Sequence, residues 1–538
     1  MERRSIGCTP GSTGPRPARG ASVRRRAVYG RARVALPTAA ESAALDRDAR
    51  EQHGIPERVL MENAGRSAAL VLQRLFPAGR VVGLIGSGHN GGDGLVLLRC
   101  LQAWGREVAF VRASDRMPEP APVHGFDLPE IGADSAELAF AGAGVLVDGL
   151  LGTGTSGAPR GPAAGLIRAL NAAGRPVLAL DLPSGVDATT GAVPGEAVRA
   201  DVTVTFGWPK LGLLLHPARA CCGRLVAVEI GFPPLEPGAV PAEVITPAWA
   251  AAHLPRRQPT AHKGSAGKVL IVAGRPGMAG AAVIATEAAV RAGAGLVYVA
   301  SAAENRVVLQ SSVPESIFRD RAEDESLRGE TMDALLLGPG VGVEDDAGRA
   351  VMRRALECSR GRPTVLDADA LTYVAELPDL LRTLAGERAL ILTPHPGEMA
   401  RLTGRSIEEI QSDRMRAARA VAEEYGCVVL LKGQPSIVAA AGEPVLVNST
   451  GSSDVAAGGM GDQLGGTITG LLAAGASARA AAALGLFFAG RAADLAGLGR
   501  SLSPRHVSAR LHEAFDRPGA STPPFGLPFV TFDQPPRR

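Results

Sequence analysis

The sequence predicts two α/β domains, each built on a mostly parallel β-sheet with helices on both faces. Short apolar runs alternate with helix-length segments in both halves of the 538 residues, and a connection rich in Gly and Pro separates the halves. Such alternation is typical of strands joined by crossover helices. The chain is too long for one hydrophobic core, and no internal repeat relates its halves. We therefore expect two different domains fused in one chain.

Composition and charge argue against several classes of protein. No apolar stretch is long enough to span a membrane, and the net charge of +3 is small and spread along the chain, which argues against a nucleic-acid partner. The six cysteines form no CxxC pair or His/Cys cluster, so a disulfide framework or structural zinc is not expected. A reducing cytoplasm is the compartment that this cysteine usage favours, and we also expect a homo-oligomer.

Lysine is rare in this chain. Only four of its 57 basic residues are lysines: Lys210, Lys263, Lys268 and Lys432. A GC-rich genome explains the preference for arginine. A lysine kept under that pressure indicates a place where a compact ammonium is needed and a planar guanidinium will not serve.

Composition also divides the chain. Residues 1–35 carry nine arginines and no clear amphipathic or apolar segment, so we expect a disordered leader. The first domain is predicted at 36–232 and the second at 243–515. The intervening 233–259 has the Gly and Pro content of an interdomain connection, and 516–538 is predicted to be irregular.

Each domain contains six predicted strands. In the first they are Arg80–Ile85, Glu107–Arg112, Gly144–Asp148, Pro176–Asp181, Asp201–Phe206 and Leu225–Glu229. In the second they are Lys268–Ala273, Gly295–Ala300, Asp333–Gly338, Pro363–Asp367, Ala389–Thr393 and Cys427–Lys432. Helices are predicted at Gly92–Trp104, Ala163–Ala173 and through the Ala-rich region Gly461–Gly497. The carboxyl ends of parallel strands meet at one edge of a sheet, where ligands bind.

The first predicted strand runs into a glycine-rich loop, 86–94, that opens a helix. The loop contains G-x-G-x-x-G in the strand–turn–helix context of a dinucleotide fingerprint, although a tight turn alone would also explain the glycines. Neither Asn90 nor Asp93 is needed for a turn. A carboxylate so close to phosphates indicates chemistry or a cation nearby.

Three further strand ends in the first half carry polar residues. Asp148 begins a glycine and hydroxyl loop, Asp181 and Ser184 follow the next strand, and Lys210 follows a third. Loop or N-cap roles are the common use of Asp. The oxygens of Asn90, Asp148 and Ser184 would suit a hard cation, but they are too few and too weakly charged for a tight divalent site.

In order and spacing, these motifs and the segment 59–65 (VLMENAG) resemble the NAD(P)H-hydrate epimerase domain over about residues 36–232. The resemblance implies a Rossmann-like three-layer fold that interconverts the R and S epimers of hydrated NADH and NADPH. It implies potassium at Asn90, Asp148 and Ser184 and catalytic roles for Asp181 and Lys210. The implied substrate contacts are His89, Asn90, Gly91, Gly92, Asp93, Gly152, Thr153, Gly154, Thr155, Ser156, Gly157, Ala158 and Asp181. His89 departs from the family, which usually has Asn there, but can donate the same kind of hydrogen bond.

In the second half, the segment 262–268 precedes a strand but lacks Walker A spacing. The glycines of 338–342 close a strand and form a candidate anion nest. His395 stands between two prolines at a strand end, which favours a functional role over a place in the core. At another strand end, Lys432–Ser436 could hold a nucleotide phosphate or ribose.

The strongest element is the glycine run that ends in Asp462 and leads directly into a helix. Backbone N–H groups at such a turn form an oxyanion or phosphate site, and an aspartate in the first turn can accept a proton from a substrate hydroxyl. Complementing the charge of the helix end is the alternative role of Asp462.

The GxGD pattern resembles the ribokinase-like superfamily, and the motifs HKGSAGKV, GMAGAA, RAGAGLVYVA, GPGVG, TPHPGE, LKG and GGMGD together resemble the ADP/ATP-dependent NAD(P)H-hydrate dehydratase over about 243–515. The resemblance implies Asp462 as the catalytic base. It implies contacts to the hydrated nicotinamide nucleotide at Ala281, Gly340, His395 and Asp462. It implies contacts to the adenine nucleotide at Lys432, Gly433, Gln434, Pro435, Ser436 and Gly461. Ser436 replaces the more usual Thr and keeps the hydroxyl.

The fusion resembles bifunctional NAD(P)H-hydrate repair enzymes. That implies epimerisation of hydrated NADH and NADPH, and dehydration of the S form at the expense of ADP, giving AMP and phosphate, with K⁺ in the first domain and Mg²⁺ in the second. Two alternatives stay open: a ribokinase-superfamily small-molecule kinase, and a first half that is a catalytically silent nucleotide-binding module. A stable phosphorylated product would indicate the kinase.

Overall fold

A computed structural model describes residues 34–118, 125–235, 238–328, 331–516 and 530–532. Most of the predicted leader and tail therefore lies outside the described residues. None of the helices in the described part of the chain is both long and apolar enough to cross a membrane.

The described strands form two sheets. In chain order they are β1 (Val81–Ile85), β2 (Val108–Arg112), β3 (Glu130–Ile131), β4 (Val145–Gly149), β5 (Val177–Leu180), β6 (Val202–Phe206), β7 (Arg224–Val228), β8 (Ala242–Ile245), β9 (Lys268–Val272), β10 (Leu296–Ser301), β11 (Ile317–Asp320), β12 (Ala334–Leu337), β13 (Thr364–Leu366), β14 (Leu390–Leu392), β15 (Val428–Leu431), β16 (Ile437–Ala439), β17 (Val445–Asn448) and β18 (Val530–Phe532).

The helices cover the faces of these sheets. They are α1 (Ala39–Glu51), α2 (Glu57–Leu75), α3 (His89–Ala103), α4 (Ala136–Ala141), α5 (Pro162–Ala172), α6 (Pro247–His253), α7 (Ala279–Arg291), α8 (Arg306–Ser312), α9 (Asp346–Glu357), α10 (Asp369–Ala375), α11 (Pro378–Glu387), α12 (Pro396–Thr403), α13 (Ile407–Ser412), α14 (Arg414–Tyr425), α15 (Met460–Ala473), α16 (Ala478–Ala496) and α17 (Pro504–Asp516).

The first sheet has the strand order β18-β7-β6-β5-β4-β1-β2-β3 and is parallel except for β18. Alternate residues of β1 face opposite layers, as the period of a strand requires. Val81 and Ile85 pack with α2 and α3, whereas Val82 and Leu84 pack with α4 and α5. The predicted three-layer α/β domain is confirmed.

The second sheet has the order β11-β10-β9-β12-β13-β14-β15-β16-β17-β8. It is parallel from β11 to β15, and β16 and β17 add an antiparallel turn-back that the sequence analysis did not predict. In β15, Val429 and Leu431 face the side covered by α14, and Val428 and Leu430 face α15 and α16. The mostly parallel α/β architecture of this domain is also as predicted.

The Ala-rich helical region predicted at Gly461–Gly497 consists of two helices, α15 and α16. Gly475 has a φ of +97°, a backbone conformation that is unfavourable for residues with a side chain. Because this φ is not helical, α15 ends just before Gly475. Ser477 then accepts a hydrogen bond from the backbone N–H of Ala480 and so caps α16. A change of chain direction at a glycine followed by a serine cap is the physical reason for the break.

The segment 233–259 is more than a connection. It contains β8, which pairs in parallel with β17, and α6, whose N-cap Thr246 accepts a hydrogen bond from the Trp249 N–H. β8 is therefore part of the second sheet, and it lies where the predicted linker, 233–259, overlaps the predicted second domain, which starts at 243.

The first and the last described segments each contact the domain at the other end of the chain. Val34 and Ala35, predicted to belong to a disordered leader, are buried against β8: the Val34 carbonyl accepts from the Val244 N–H at 2.9 Å. In the tail predicted to be irregular, β18 pairs with β7 of the first sheet. Leu213 and Leu214 of the first domain belong to the same apolar core as one face of the second sheet. The two domains therefore share a packed interface.

Candidate active sites

The glycine turn after β1 is required by close backbone approach. A Cβ on Gly86 would lie 1.8 Å from the Leu150 carbonyl oxygen, and a Cβ on Gly91 would lie 1.9 Å from the Gly86 carbonyl oxygen. The turn leads into α3, which begins at the carboxyl edge of the sheet. This places the predicted loop and the ends of β4, β5 and β6 at one edge, the first site.

Asn90, Asp148 and Ser184, predicted to bind a cation, lie together at the first site. The Ser184 hydroxyl donates to Asp148 Oδ1 at 2.6 Å, and its backbone N–H donates to Oδ2 at 2.8 Å. The Leu151 N–H donates to Ser184 Oγ, and the Leu151 carbonyl accepts from Asn90 Nδ2, both at 2.9 Å. Three loops therefore converge through hydrogen bonds.

This group has the chemistry of a cation site. Asn90 Oδ1 is buried and has no hydrogen-bond partner among the described residues. An unsatisfied buried acceptor is costly, so it calls for a ligand. Asp148 is fully buried, and burial raises the pKa of its carboxyl to about 6, against the opposing effect of the Ser184 hydrogen bonds. Oxygen atoms around one carboxylate fit an alkali cation.

Asp181 and Lys210 form a buried ion pair beside this group. Lys210 is only 3% exposed, and its ammonium donates to Asp181 Oδ1 and, at 3.0 Å, to the Phe206 carbonyl oxygen. Thr205 Oγ1 also donates to Asp181 at 3.3 Å. Asp181 has a φ of +62°, which is uncommon for a non-glycine residue, although Asp adopts it more readily than most. The Asp181 carboxylate is therefore held by hydrogen bonds from a lysine and a threonine hydroxyl.

Asp93 adds a second carboxyl to the first site. It is 8% exposed, and burial, followed by the charge of Asp181, raises its pKa well above the usual range. Lys210 acts in the opposite direction on this pKa, so all three charges interact. A carboxyl in this setting favours its protonated form.

The His89 side chain is paired with a glutamate of the neighbouring helix α2. Its ring is largely exposed, and Nε2 lies 2.9 Å from Glu57 Oε1 at the start of α2. Glu57 also pairs with Arg50 of α1 at 3.3 Å. The structure thus ties the loop to two helices at the position where the family usually has Asn.

The remaining predicted contacts of the first site line its edge. Gly91 and Gly92 are buried at the start of α3, whereas the end of the 152–158 loop, from Gly154 to Ala158, is exposed. A Cβ on Gly152 would lie 3.3 Å from Asn90 Cβ, so the loop approaches the cation group closely.

The second site lies at the carboxyl edge of the second sheet. The Gly-rich turn before α15 contains Gly459 with a φ of +82°, and Asp462 follows in the first turn of the helix. Burial, followed by the charge of Asp367, raises the pKa of Asp462 to about 7, whereas Lys432 lowers it. A half-buried carboxyl with this pKa is suited to proton transfer near neutral pH.

Lys432 lies beneath the glycine turn. Its ammonium donates to Asp367 Oδ1 at 2.7 Å and lies 3.7 Å from Glu398 Oε2. Although burial lowers the pKa of Lys432, the charges of Asp367 and Glu398 raise it above its ordinary value. A Cβ on Gly461 would lie 3.4 Å from Lys432 Nζ, which joins this lysine to the turn.

His395 is the N-cap of α12. Its Nδ1 accepts hydrogen bonds from the backbone N–H groups of Gly397, at 3.0 Å, and Glu398, at 3.2 Å, and Glu398 in turn accepts from the His395 N–H. An Nδ1 that accepts two hydrogen bonds leaves the proton of the neutral ring on Nε2. His395 can therefore donate from Nε2, and it lies next to the Lys432 group through Glu398.

The other predicted residues of the second site form two further groups along the same edge. A Cβ on Gly340 would lie 3.3 Å from Ala281 Cβ, so these two residues are neighbours. Ser436 Oγ donates to the Gly433 carbonyl at 2.9 Å and accepts from its N–H, which closes the loop that also contains Gln434 and Pro435.

Sequence reasoning missed Asp367 and Glu398 as site residues. The signal for both was present, because Asp367 ends one predicted strand and Glu398 follows another, at the edge where Lys432 was already a candidate. The segment 262–268, by contrast, precedes β9 and lies at the opposite, amino edge of the sheet.

The described residues contain no group of three or more His, Cys, Asp or Glu side chains placed to hold a metal ion. The cation group of the first site differs in kind, since it offers one carboxylate with amide and hydroxyl oxygens.

Two family models match the chain, in the order of its two sheets. One, described as YjeF-related protein N-terminus, matches residues 57–212. The other, described as NAD(P)H-hydrate dehydratase, matches residues 269–512.

Known relatives extend across both domains. The bifunctional NAD(P)H-hydrate repair enzyme Nnr of Moorella thermoacetica is 38% identical over 85% of this chain and 92% of its own length. The enzymes of the same name from Coxiella burnetii and Escherichia coli are 39% and 37% identical, over 83% and 84% of this chain and 91% and 87% of theirs. A crystal structure of ADP/ATP-dependent NAD(P)H-hydrate dehydratase from Bacillus subtilis, 28% identical, covers 51% of this chain and 98% of its own with a TM-score of 0.46. On the length and identity of the sequence matches, the chain belongs to the family of bifunctional NAD(P)H-hydrate repair enzymes.

Proposed function

We propose that this chain repairs hydrated NADH and NADPH, with the first site interconverting the R and S epimers and the second site dehydrating the S epimer. The observation that carries the proposal is the presence of both sites in one chain of this family. Each site holds a lysine against a strand-end aspartate, next to a second carboxyl of raised pKa.

At the first site, inversion at C6 requires a bond to that carbon to break and to form again on the other face. A group in the site must therefore donate a proton when this bond breaks and take the proton back when the bond forms again. Asp93 is the proposed proton source, because burial and the charge of Asp181 favour its protonated form. Asp181 and Lys210 would orient the hydroxyl and take part in the transfer, since they form an ion pair at the same strand edge as Asp93.

Potassium is the proposed cation of the first site. The orphaned Asn90 Oδ1 and the oxygens of Asp148 and Ser184 would hold it, and its positive charge would attract a substrate phosphate to this edge. We expect epimerisation to slow when choline replaces K⁺, while dehydration of the pure S epimer continues. Equal activity in K⁺ and choline would contradict the assignment.

At the second site, Asp462 would take the proton of the C6 hydroxyl as that oxygen attacks the terminal phosphate of ADP. The bond from this phosphate to AMP breaks, and backbone N–H groups of the glycine turn stabilise the developing charge. The phosphorylated oxygen then leaves C6, pushed by the ring nitrogen, and C5 loses a proton. The products are AMP, phosphate and the restored dihydronicotinamide ring of NADH or NADPH.

Magnesium is the proposed metal of the second site. It prefers oxygen ligands and is commonly bound through one or two carboxylates together with substrate phosphates. Glu398, whose carboxylate lies at this edge, would hold it with the nucleotide. Mg²⁺ would neutralise charge on the transferred phosphate.

Absorbance near 340 nm tests the whole proposal. The purified chain is mixed with epimer-mixed hydrated NADH and Mg²⁺, in parallel with ADP, with ATP or with neither. We expect complete recovery of NADH with ADP, because epimerisation feeds the dehydratase. Recovery of only the S fraction would remove the epimerase from the proposal.

A stable phosphorylated product without NADH would indicate a small-molecule kinase instead. The homo-oligomeric state stays a prediction, which light scattering on the purified chain would test.

A further inference from the structure

One turn of the second domain has no assigned role, although it contacts two loops of the second site. It consists of Asp367, Ala368 and Asp369, between β13 and α10. Ala368 has a φ of +50°, in the region that favours glycine. Such strain persists where the surrounding structure over-determines the conformation, often at functional sites.

The two carboxylates of this turn have different partners. Asp367 is 1% exposed, and its Oδ1 accepts from Lys432 Nζ at 2.7 Å and from Thr393 Oγ1 at 2.8 Å. Asp369 Oδ2 accepts from the Gly342 N–H at 2.9 Å. The strained residue between them thus turns one carboxylate to the lysine and the other to the 338–342 loop.

Close packing around the Lys432 ammonium restricts where this group can lie. A Cβ on Gly461 would lie 3.4 Å from Lys432 Nζ and 3.6 Å from Asp367 Oδ2. The ammonium therefore lies directly under the glycine turn, next to Asp462, whose pKa both charges influence. The planar guanidinium of an arginine would need more room, which explains a lysine in a chain with four lysines and 53 arginines.

We infer that Asp367 is a positioning residue, which fixes the Lys432 ammonium under the glycine turn so that its charge acts on the transferred phosphate. This places Lys432 at the reacting end of the nucleotide. The inference rests on the dehydratase activity proposed above. It adds a residue whose main action is through Lys432 and which is not expected to contact substrate.

A double-mutant cycle tests the inference in the full-length chain. In D367N the carboxamide can still accept from Thr393, but the charge that holds the lysine is gone. We expect kcat for dehydration to fall by about 10²-fold, the order of loss when one preorganised group is removed, while KM for ADP changes by less than about threefold. We expect K432M to lose at least as much, and D367N/K432M to match K432M within about twofold, because the two residues act as one unit.

Two results would overturn the inference. One is a D367N enzyme whose kcat stays within about threefold of wild type, and the other is a double variant whose loss is the product of the single losses. The matched control is D333N, since Asp333 precedes β12 at the opposite edge of the sheet and accepts from the Lys268 N–H. Epimerase activity in every variant reports folding of the rest of the chain.

Removal of a buried charge partner can also unfold a domain, so a milder variant accompanies the cycle. T393V keeps both charges and removes one of the two donors that orient Asp367. We expect a loss of several-fold in kcat with unchanged epimerase activity, and an unchanged kcat would overturn the inference. A wild-type chain without dehydratase activity would refute the proposed function itself, before any variant is compared.

Discussion

The first and second sites hold the same set of charged groups on different folds. Each has a lysine, a strand-end aspartate paired with it, and an aspartate near the start of a helix that follows a glycine turn. The two sets are Lys210, Asp181 and Asp93 in the first site and Lys432, Asp367 and Asp462 in the second.

The sets differ in their exposure to solvent. The Lys210 side chain is 3% exposed and that of Lys432 is 20% exposed. Asp93 is buried, whereas Asp462 is half-buried. The buried groups of the first site suit the transfer of a proton to and from one bound molecule. The more exposed groups of the second site suit a reaction in which the phosphates of a second substrate must also enter.

The largest expected effect separates the two sites completely. We expect D462N to lower dehydration by about 10²–10⁴-fold, the range for loss of a general base, because the amide cannot accept the hydroxyl proton. Single-turnover assays with S-hydrate and ADP measure it. D454N, in the loop before the glycine turn, is the matched control. If D462N dehydrates within a few-fold of wild type, Asp462 is only a helix-end charge and the base lies elsewhere.

The reciprocal change should affect only the first site. We expect D181N to lower epimerisation by about 10²-fold, because the Lys210 ammonium loses its orienting charge and the carboxyl can no longer exchange a proton. Conversion of pure R-hydrate, followed by chromatography, measures it. Dehydration of pure S-hydrate by the same variant should stay near wild type. Loss of both activities would indicate that the variant is misfolded.

The pH dependence of the second site is the next largest effect. Asp462 must be deprotonated to act as a base, and its pKa is raised to about 7. We therefore expect kcat/KM for dehydration to be level above pH 7 and to fall by about tenfold per pH unit well below it. A profile measured between pH 5 and 9 would show this. A limb centred near pH 4 would mean that the raised pKa does not govern the reaction.

The smallest effect concerns His89. The family usually has Asn there, and in this chain the ring contacts Glu57 at the rim. We expect H89N to change epimerisation by only a few-fold, since an exposed pair of this kind contributes about 0–1 kcal/mol. A loss as large as that of D181N would mean that His89 contacts the reacting atoms.

Much of the architecture could be predicted from the sequence, because strands and glycine turns are local features. All twelve predicted strands lie within two residues of observed strands at each end. The short strands toward the sides of the two sheets were harder to predict. β3 has two residues, and β16 and β17 are short strands after a glycine loop. Such segments are too short for a hydrophobic period to distinguish them from loop.

The prediction of a bare connection between the domains failed for a different reason. Val34 and the strand β8 pair across more than 200 residues of sequence, and β18 pairs with a strand about 300 residues away. No pattern within either segment indicates its partner. The apolar residues of β8 can be recognised as part of a sheet only once the neighbouring strand, β17, is known.

The sequence by itself determined the two α/β domains, the glycine turns and the types of residue at each strand end, because these depend on local backbone preference and periodicity. Tertiary structure alone decided which of those residues meet. It left Asn90 Oδ1 without a hydrogen-bond partner in the described part of the chain, placed His89 beside Glu57 and brought Asp367 to Lys432. The physical reason is that burial, close approach and charge pairing are set by strands brought side by side, and sequence distance does not encode them.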